Sequence, residues 1–252
     1  MTIRTTTRKT ARRVARNHLP RFVLRSLKPS YAPAPGRVDL GDLRRTRPFS
    51  AHFGSERGLP VDRYYIERFL RQHQGDIRGR VLEVGDAAYT RRFGGDRVTT
   101  SDVLHVDAEA PGATVVADLS DADHLPSEAF DCIILTQTLH LIFDFSAAVR
   151  TLRRILAPGG VVLVTVPGIT QIDTGEWAHS WYWSFTIHSV RRLFGEAFGP
   201  ASIAVEQHGS VLSAVAFLEG MAAEELTETE MSAEDPAYPV FIGVRAAKAP
   251  DS

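Results

Sequence analysis

The chain has 252 residues, 44% of them hydrophobic, and a formal net charge of −1, enough apolar material for one substantial core with or without an appendage. The balance hides an asymmetry. Residues 1–47 hold 13 Lys and Arg against 2 Asp and Glu, and the remainder holds 16 against 28, so a basic arm precedes an acidic globule. A single cysteine, Cys132, excludes an intramolecular disulfide framework and reads as a small core residue. No run approaches the roughly 18 apolar residues of a membrane span, and the N-terminus lacks the apolar stretch of a secretory signal. A cytoplasmic protein is expected.

Residues 1–36 read as a flexible arm, with short helices at 11–18 and 21–27 and then a linker made by Pro29, Pro33 and Pro35. Its charge suits weak association with an anionic membrane surface. Nucleic acid is not expected, because no aromatic or recognition-helix pattern accompanies the charge. Residues 37–79 form a lead-in in which 61–74 has helical spacing, with Tyr65, Phe69 and Leu70 on one side. The third segment, 80–248, alternates. Strands are predicted at 80–85, 98–102, 113–117, 130–136 and 161–166, and helices at 88–93 and 144–156. Pro158-Gly159-Gly160 then turns the chain into the fifth strand. A helix at 186–194, a strand at 201–207, a longer helix at 211–225 and a last strand at 238–245 complete the pattern. Strands alternating with helices predict an α/β fold, a mostly parallel sheet with helices on both faces.

The densest signal lies in 81–102, VLEVGDAAYTRRFGGDRVTTSD. A strand ending in Gly85, a short helix, and a second strand ending in an acid, Asp102, is how an open sheet holds an adenosine. The glycine permits the tight turn and the acid takes the ribose hydroxyls. A dinucleotide would want G-x-G-x-x-G, but Gly85 is followed by Asp86, Ala87, Ala88 and Tyr89. Asp86 would repel a pyrophosphate, which weakens the alternative of a nucleotide-dependent oxidoreductase.

From Arg80 to Pro167 the chain resembles the class I S-adenosylmethionine-dependent methyltransferases. The resemblance rests on Val81-Leu-Glu-Val-Gly85, on Phe130-Asp-Cys-Ile-Ile-Leu135, and above all on Leu156-Ala-Pro-Gly-Gly160 before a hydrophobic strand. It implies a Rossmann-like seven-stranded sheet with an antiparallel last strand, and S-adenosylmethionine as cofactor. It also implies residue roles. Gly85 would turn under the methionine part, with Glu83 nearby and Asp86 on the ammonium. Asp102 would hold the ribose. Asp118 and Leu119 would meet the adenine, and Thr136 and Gln137 would edge the sulfonium. The usual G-x-G-x-G loop is absent, so a methyltransferase-like binding module without catalysis is the other reading. A less specific resemblance to methyltransferases found among bacterial glycan and glycosyltransferase genes covers Arg57–Glu67 and Tyr89–Gly94. It implies a sugar, glycan-linked or small-metabolite acceptor, with Arg63 and Tyr64 or Tyr65 over the cofactor.

Transfer to a hydroxyl requires removal of one proton, and histidine is the side chain best suited to that at neutral pH. His140, after the fourth strand, is one candidate, with Asp144 placed to orient it. His179 and His188, flanking Trp181, Tyr182 and Trp183, are the others; Trp177 lies just upstream. No Cys/His pair has zinc spacing and no G-x-S-x-G elbow occurs, so neither a metal nor a serine nucleophile is expected.

Overall fold

The apolar runs become seven strands: β1 (Gly79–Val84), β2 (Val98–His105), β3 (Val115–Val116), β4 (Phe130–Thr136), β5 (Leu156–Pro167), β6 (Ile203–His208) and β7 (Phe241–Ala247). They lie in one sheet ordered β3-β2-β1-β4-β5-β7-β6. A computed structural model describes residues 32–250 and divides the chain into two units, Met1–Thr46 and Arg47–Ser252. In the first unit the described residues hold one 3₁₀ turn, Gly41–Leu43. The arm helices expected at 11–18 and 21–27 lie outside the described residues. The sheet belongs to the second unit.

β1 through β5 pair in parallel, as with Leu82 opposite both Asp102 and Ile133. β7 runs antiparallel between β5 and β6, with Val164 opposite Val244. This is the sheet expected from the resemblance, and an antiparallel β7 also removes the topology that a dehydrogenase would show. The chain leaves β1 towards β2 on one side and returns to β4 on the other. That reversal opens a crevice at the carboxyl ends of β1 and β4, where ligands bind in such sheets.

Each face has its own core. Leu82, Leu104, Ile133 and Val164 pack with α2 (Phe145–Ile155) and α3 (Ile187–Phe198) through Val149, Leu152 and Phe194. Val81, Cys132, Ile134 and Leu163 pack with α1 (Val61–Gln72) and α4 (Val211–Leu218) through Tyr65, Phe69 and Phe217. A short α5 (Glu228–Met231) follows. The Leu156–Gly160 motif makes a bulge: Phe130 pairs with Leu156 and Cys132 with Val161. A Cβ on Gly160 would stand 2.9 Å from the Ala157 carbonyl and 3.0 Å from that of Asp131, so two backbones meet there.

Several elements differ from expectation, among them β5, which begins at Leu156 and not at 161. The helix expected at 88–93 is present over 88–94, but it passes at once into a π turn, Thr90–Gly94, since thirteen residues (85–97) must connect β1 to β2 and a buried carboxylate holds the start of the turn. The helix expected at 211–225 stops at Leu218. Gly220 (φ +66) then turns the chain so closely under Ser50 that a Cβ would lie 2.3 Å from its carbonyl oxygen. β2 runs three residues past Asp102, because Val103 and Leu104 continue the buried pattern and pair with Glu83 and Val84. No helix among the described residues is long and apolar enough to cross a membrane.

Leu152, fully buried between α2 and the sheet, tests this packing. Leu152→Ala should lower unfolding stability by about 2–5 kcal/mol, measured as a lower urea midpoint with an unchanged slope.

Candidate functional site

A cavity of about 800 Å³ occupies the crevice, within the range of small-molecule sites. Its floor is built from the carboxyl ends of the strands. Glu83 and Gly85 follow from β1, Leu104 and His105 from β2, Asp118 and Leu119 from the stretch after β3, and Thr136 and Gln137 from β4. His140 closes one wall. All the predicted site residues except Asp102, His179 and His188 are therefore brought together.

Glu83 is 2% exposed, and its carboxylate accepts the N–H groups of Tyr89 (3.1 Å) and Thr90 (2.7 Å). Burial pushes its pKa up, and these hydrogen bonds oppose the shift. It thus braces the loop and does not face solvent as a free acid. Gly85 has φ +96, and nothing lies within 4 Å of where a Cβ would stand. The turn needs glycine, and the space beside it is open. Asp86 holds its own loop, accepting Ala88 N–H at 2.5 Å. Asp118 accepts the Ser120 N–H and hydroxyl through one oxygen, at 2.8 and 2.7 Å, so it both caps a turn and lines the cavity.

Gln137 sits at φ +46, unusual for a side-chain-bearing residue. Its N–H donates to the Thr165 carbonyl at 2.9 Å. His140 is 1% exposed, and burial lowers its pKa to about 4, so the ring is neutral at pH 7. Its carbonyl accepts the N–H groups of Tyr182 and Trp183 at 3.1 and 3.2 Å, tying down the loop after β5. Trp181 from that loop packs 4.4 Å from the His140 ring and stacks on Phe53 at 6.1 Å. Phe53 and its neighbours His52 and Ser55, with Phe217 from α4, complete the roof.

Four expected residues do not take their expected places. Asp102 lies midway along β2, its carboxylate bonded by Arg80 Nε (2.7 Å) and the Thr114 hydroxyl (3.1 Å), and it is not in the cavity wall. His179 and His188 are exposed outside the wall, because the loop turns Trp181 inward instead. Asp144 caps α2, accepting Ala147 N–H at 2.9 Å, and does not orient His140. Of the α1 residues, Arg63 lines the cavity and donates to the Tyr89 hydroxyl at 3.0 Å. Tyr65 is a core residue whose hydroxyl donates to the Met231 carbonyl, and Tyr64 donates to Glu228.

Sequence reasoning missed Asp62, His52, Phe53, Ser55, His105, Thr170 and Phe217, which line the wall from distant segments. Four buried polar atoms of wall residues have no partner among the described residues: Asp62 Oδ1, Gln137 Nε2, His140 Nδ1 and Trp181 Nε1. Buried polar groups are ordinarily satisfied, and all four of these belong to residues that line the one cavity.

The family model for the methyltransferase domain matches residues 49–221. Among solved structures, an S-adenosylmethionine-dependent methyltransferase from Archaeoglobus fulgidus is similar at 10% identity and TM-score 0.50, over 73% of this chain and 94% of its own. Another from Mesorhizobium loti is similar at 17% identity and TM-score 0.49, over 75% and 98%. No protein of curated function matches the chain.

The neutral burial of His140 has a measurable consequence. Its folded pKa, about 4, lies below the ordinary 6.5, so as pH falls through this window the unfolded chain takes up the proton first. The stability from the neutral ring is full above pH 6.5 and is lost towards pH 4, by about 3 kcal/mol. His140→Phe should flatten that acid limb in thermal melts across pH 4–7; an unchanged limb would place the ring in water.

Proposed function

The chain belongs to the methyltransferase-domain family, and on that premise we propose that it methylates a hydroxyl of an uncharged acceptor, of the sugar, glycan-linked or small-metabolite kind. It is an S-adenosylmethionine-dependent methyltransferase, and the wall of the cavity suits that cofactor. Asp86 and Asp118, with the buried Asp62 and Glu83 behind them, set four carboxyl groups against a single arginine, Arg63, a lining that disfavours a phosphate. The open space at Gly85 takes the methionine part above the turn. Asp86 receives the ammonium, Arg63 the carboxylate, and Asp118 with Leu119 the adenine. Thr136 and Gln137 edge the sulfonium.

The observation that carries the acceptor assignment is the character of the remaining wall. His52, Phe53, Ser55, Thr138, His140, Thr170, Trp177, Ser180, Trp181 and Phe217 include no Asp, Glu, Lys or Arg. A charged acceptor would lose its hydration there with no counter-ion to replace it, whereas the aromatic faces suit a sugar's C–H surface or a planar ring. When bound, S-adenosylmethionine supplies an electrophilic methyl group whose sulfur leaves without protonation. The chain's task is to align the hydroxyl and take its proton. His140, a wall residue whose ring is neutral at pH 7, is the side chain we assign to receive it, and it suffices because the oxygen acidifies as it gains the methyl group. Gln137 and Trp181, both in the wall, flank the acceptor and set its angle. The basic stretch 1–36 supports weak contact with an anionic membrane surface, checked by salt-sensitive cosedimentation with phosphatidylglycerol vesicles.

Calorimetry should detect S-adenosylmethionine binding to the folded protein, and its absence would reject the reading. In tritiated-methyl assays, neutral methyl glycosides and phenols should be used in preference to the matching uronic acids, benzoates and phosphate esters. His140→Gln should lower kcat by about 10²–10⁴-fold while leaving cofactor affinity within twofold.

A further inference from the structure

The ribose is the part of the cofactor whose expected partner is missing from the cavity. In open α/β sheets that hold an adenosine, the ribose hydroxyls meet the residue at the carboxyl end of the second strand, roughly 20 residues past the glycine. Asp102 occupies no such place. It pairs with Leu82, two rungs short of the Val84–Leu104 pair, and both its oxygens are engaged, by Arg80 and Thr114. The strand end beside the glycine turn is one step beyond Leu104, whose carbonyl accepts Gly85 N–H at 3.0 Å. That residue is His105, half-buried and in the cavity wall.

His105 is also fixed in one tautomer. Its Nδ1 accepts the Asp107 N–H at 3.0 Å, so in the neutral ring the proton sits on Nε2. The next acid, Asp107, is turned to its own loop, accepting Glu109 N–H at 2.9 Å.

We infer that His105, donating through Nε2–H, is the ribose-binding residue of this chain, and that Asp102 is a structural residue that fastens β2 through Arg80 and Thr114. The assignment rests on the reading that the cavity holds S-adenosylmethionine. It replaces an acceptor of two hydroxyl protons by a donor to one oxygen, so one ribose hydroxyl matters and the other does not.

Calorimetry of the full chain with S-adenosylhomocysteine and with its 2′-deoxy and 3′-deoxy analogues tests this. One analogue should bind the wild type about 3- to 10-fold more weakly, the worth of one neutral hydrogen bond, and the other within twofold. His105→Ala should weaken S-adenosylhomocysteine by the same factor, remove the penalty of the sensitive analogue, and be partly rescued by His105→Gln. Asp102→Asn should lower the melting temperature yet leave affinity within twofold. Three results would overturn the assignment: unchanged affinity in His105→Ala, equal sensitivity to both deoxy analogues in the wild type, or an order-of-magnitude loss in folded Asp102→Asn. Wild-type protein that binds no S-adenosylhomocysteine overturns the parent reading as well, and that result appears before any substitution is made.

Discussion

The cavity depends on one buried carboxylate. Glu83 points from β1 into the layer beneath the loop and accepts two successive backbone N–H groups, of Tyr89 and Thr90. A loop with only its first glycine needs such a brace, since Asp86, Ala87 and Ala88 do not by themselves favour one tight path. Burial alone would disfavour the charge, and the two N–H donors offset that penalty by giving the oxygens partners. The loop is held from the other side by Arg63 of α1, which bonds the Tyr89 hydroxyl. The position of Gly85 and the openness beside it follow from these two clamps.

The same economy of contacts assembles the opposite wall. Glu219, just after α4, accepts the N–H groups of Phe49 and Ser50 through its carbonyl, and Gly220 lets the chain pass close enough for that. Phe53 is thereby set against Trp181, and Trp181 against His140. Three segments far apart in the chain form one aromatic stack, and the His140 carbonyl anchors the loop that carries the indole.

Much of the fold was legible because strand burial writes itself directly into sequence. Phe130–Thr136 is a strand in both readings, since five of its seven residues are buried and a two-sided core admits little else. Leu156–Gly160 was legible for a different reason: the bulge demands glycine where two backbones meet. Gly85, Asp118 and Gln137 were legible because they sit at strand ends. Asp102 misled because an acid after a β-type run looks like a strand end. Only the pairing of Val103 and Leu104 with Glu83 and Val84 reveals that the strand continues. His179 and His188 misled because proximity to tryptophans in sequence says nothing about which side of a loop faces inward.

The sequence by itself determined the class of fold, the place of the crevice and most of its floor, since these depend on local periodicity and on glycines required by backbone geometry. Tertiary structure alone decided which acid is free to bind and which is consumed in holding strands together, as Asp102 is by Arg80 and Thr114. It also decided that His140, and neither of the other two candidate histidines, is buried in the wall, and that Asp62, Phe53 and His105 share its cavity. Hydrogen-bond partners and burial are set by segments that meet only after folding, and no spacing along the chain encodes them.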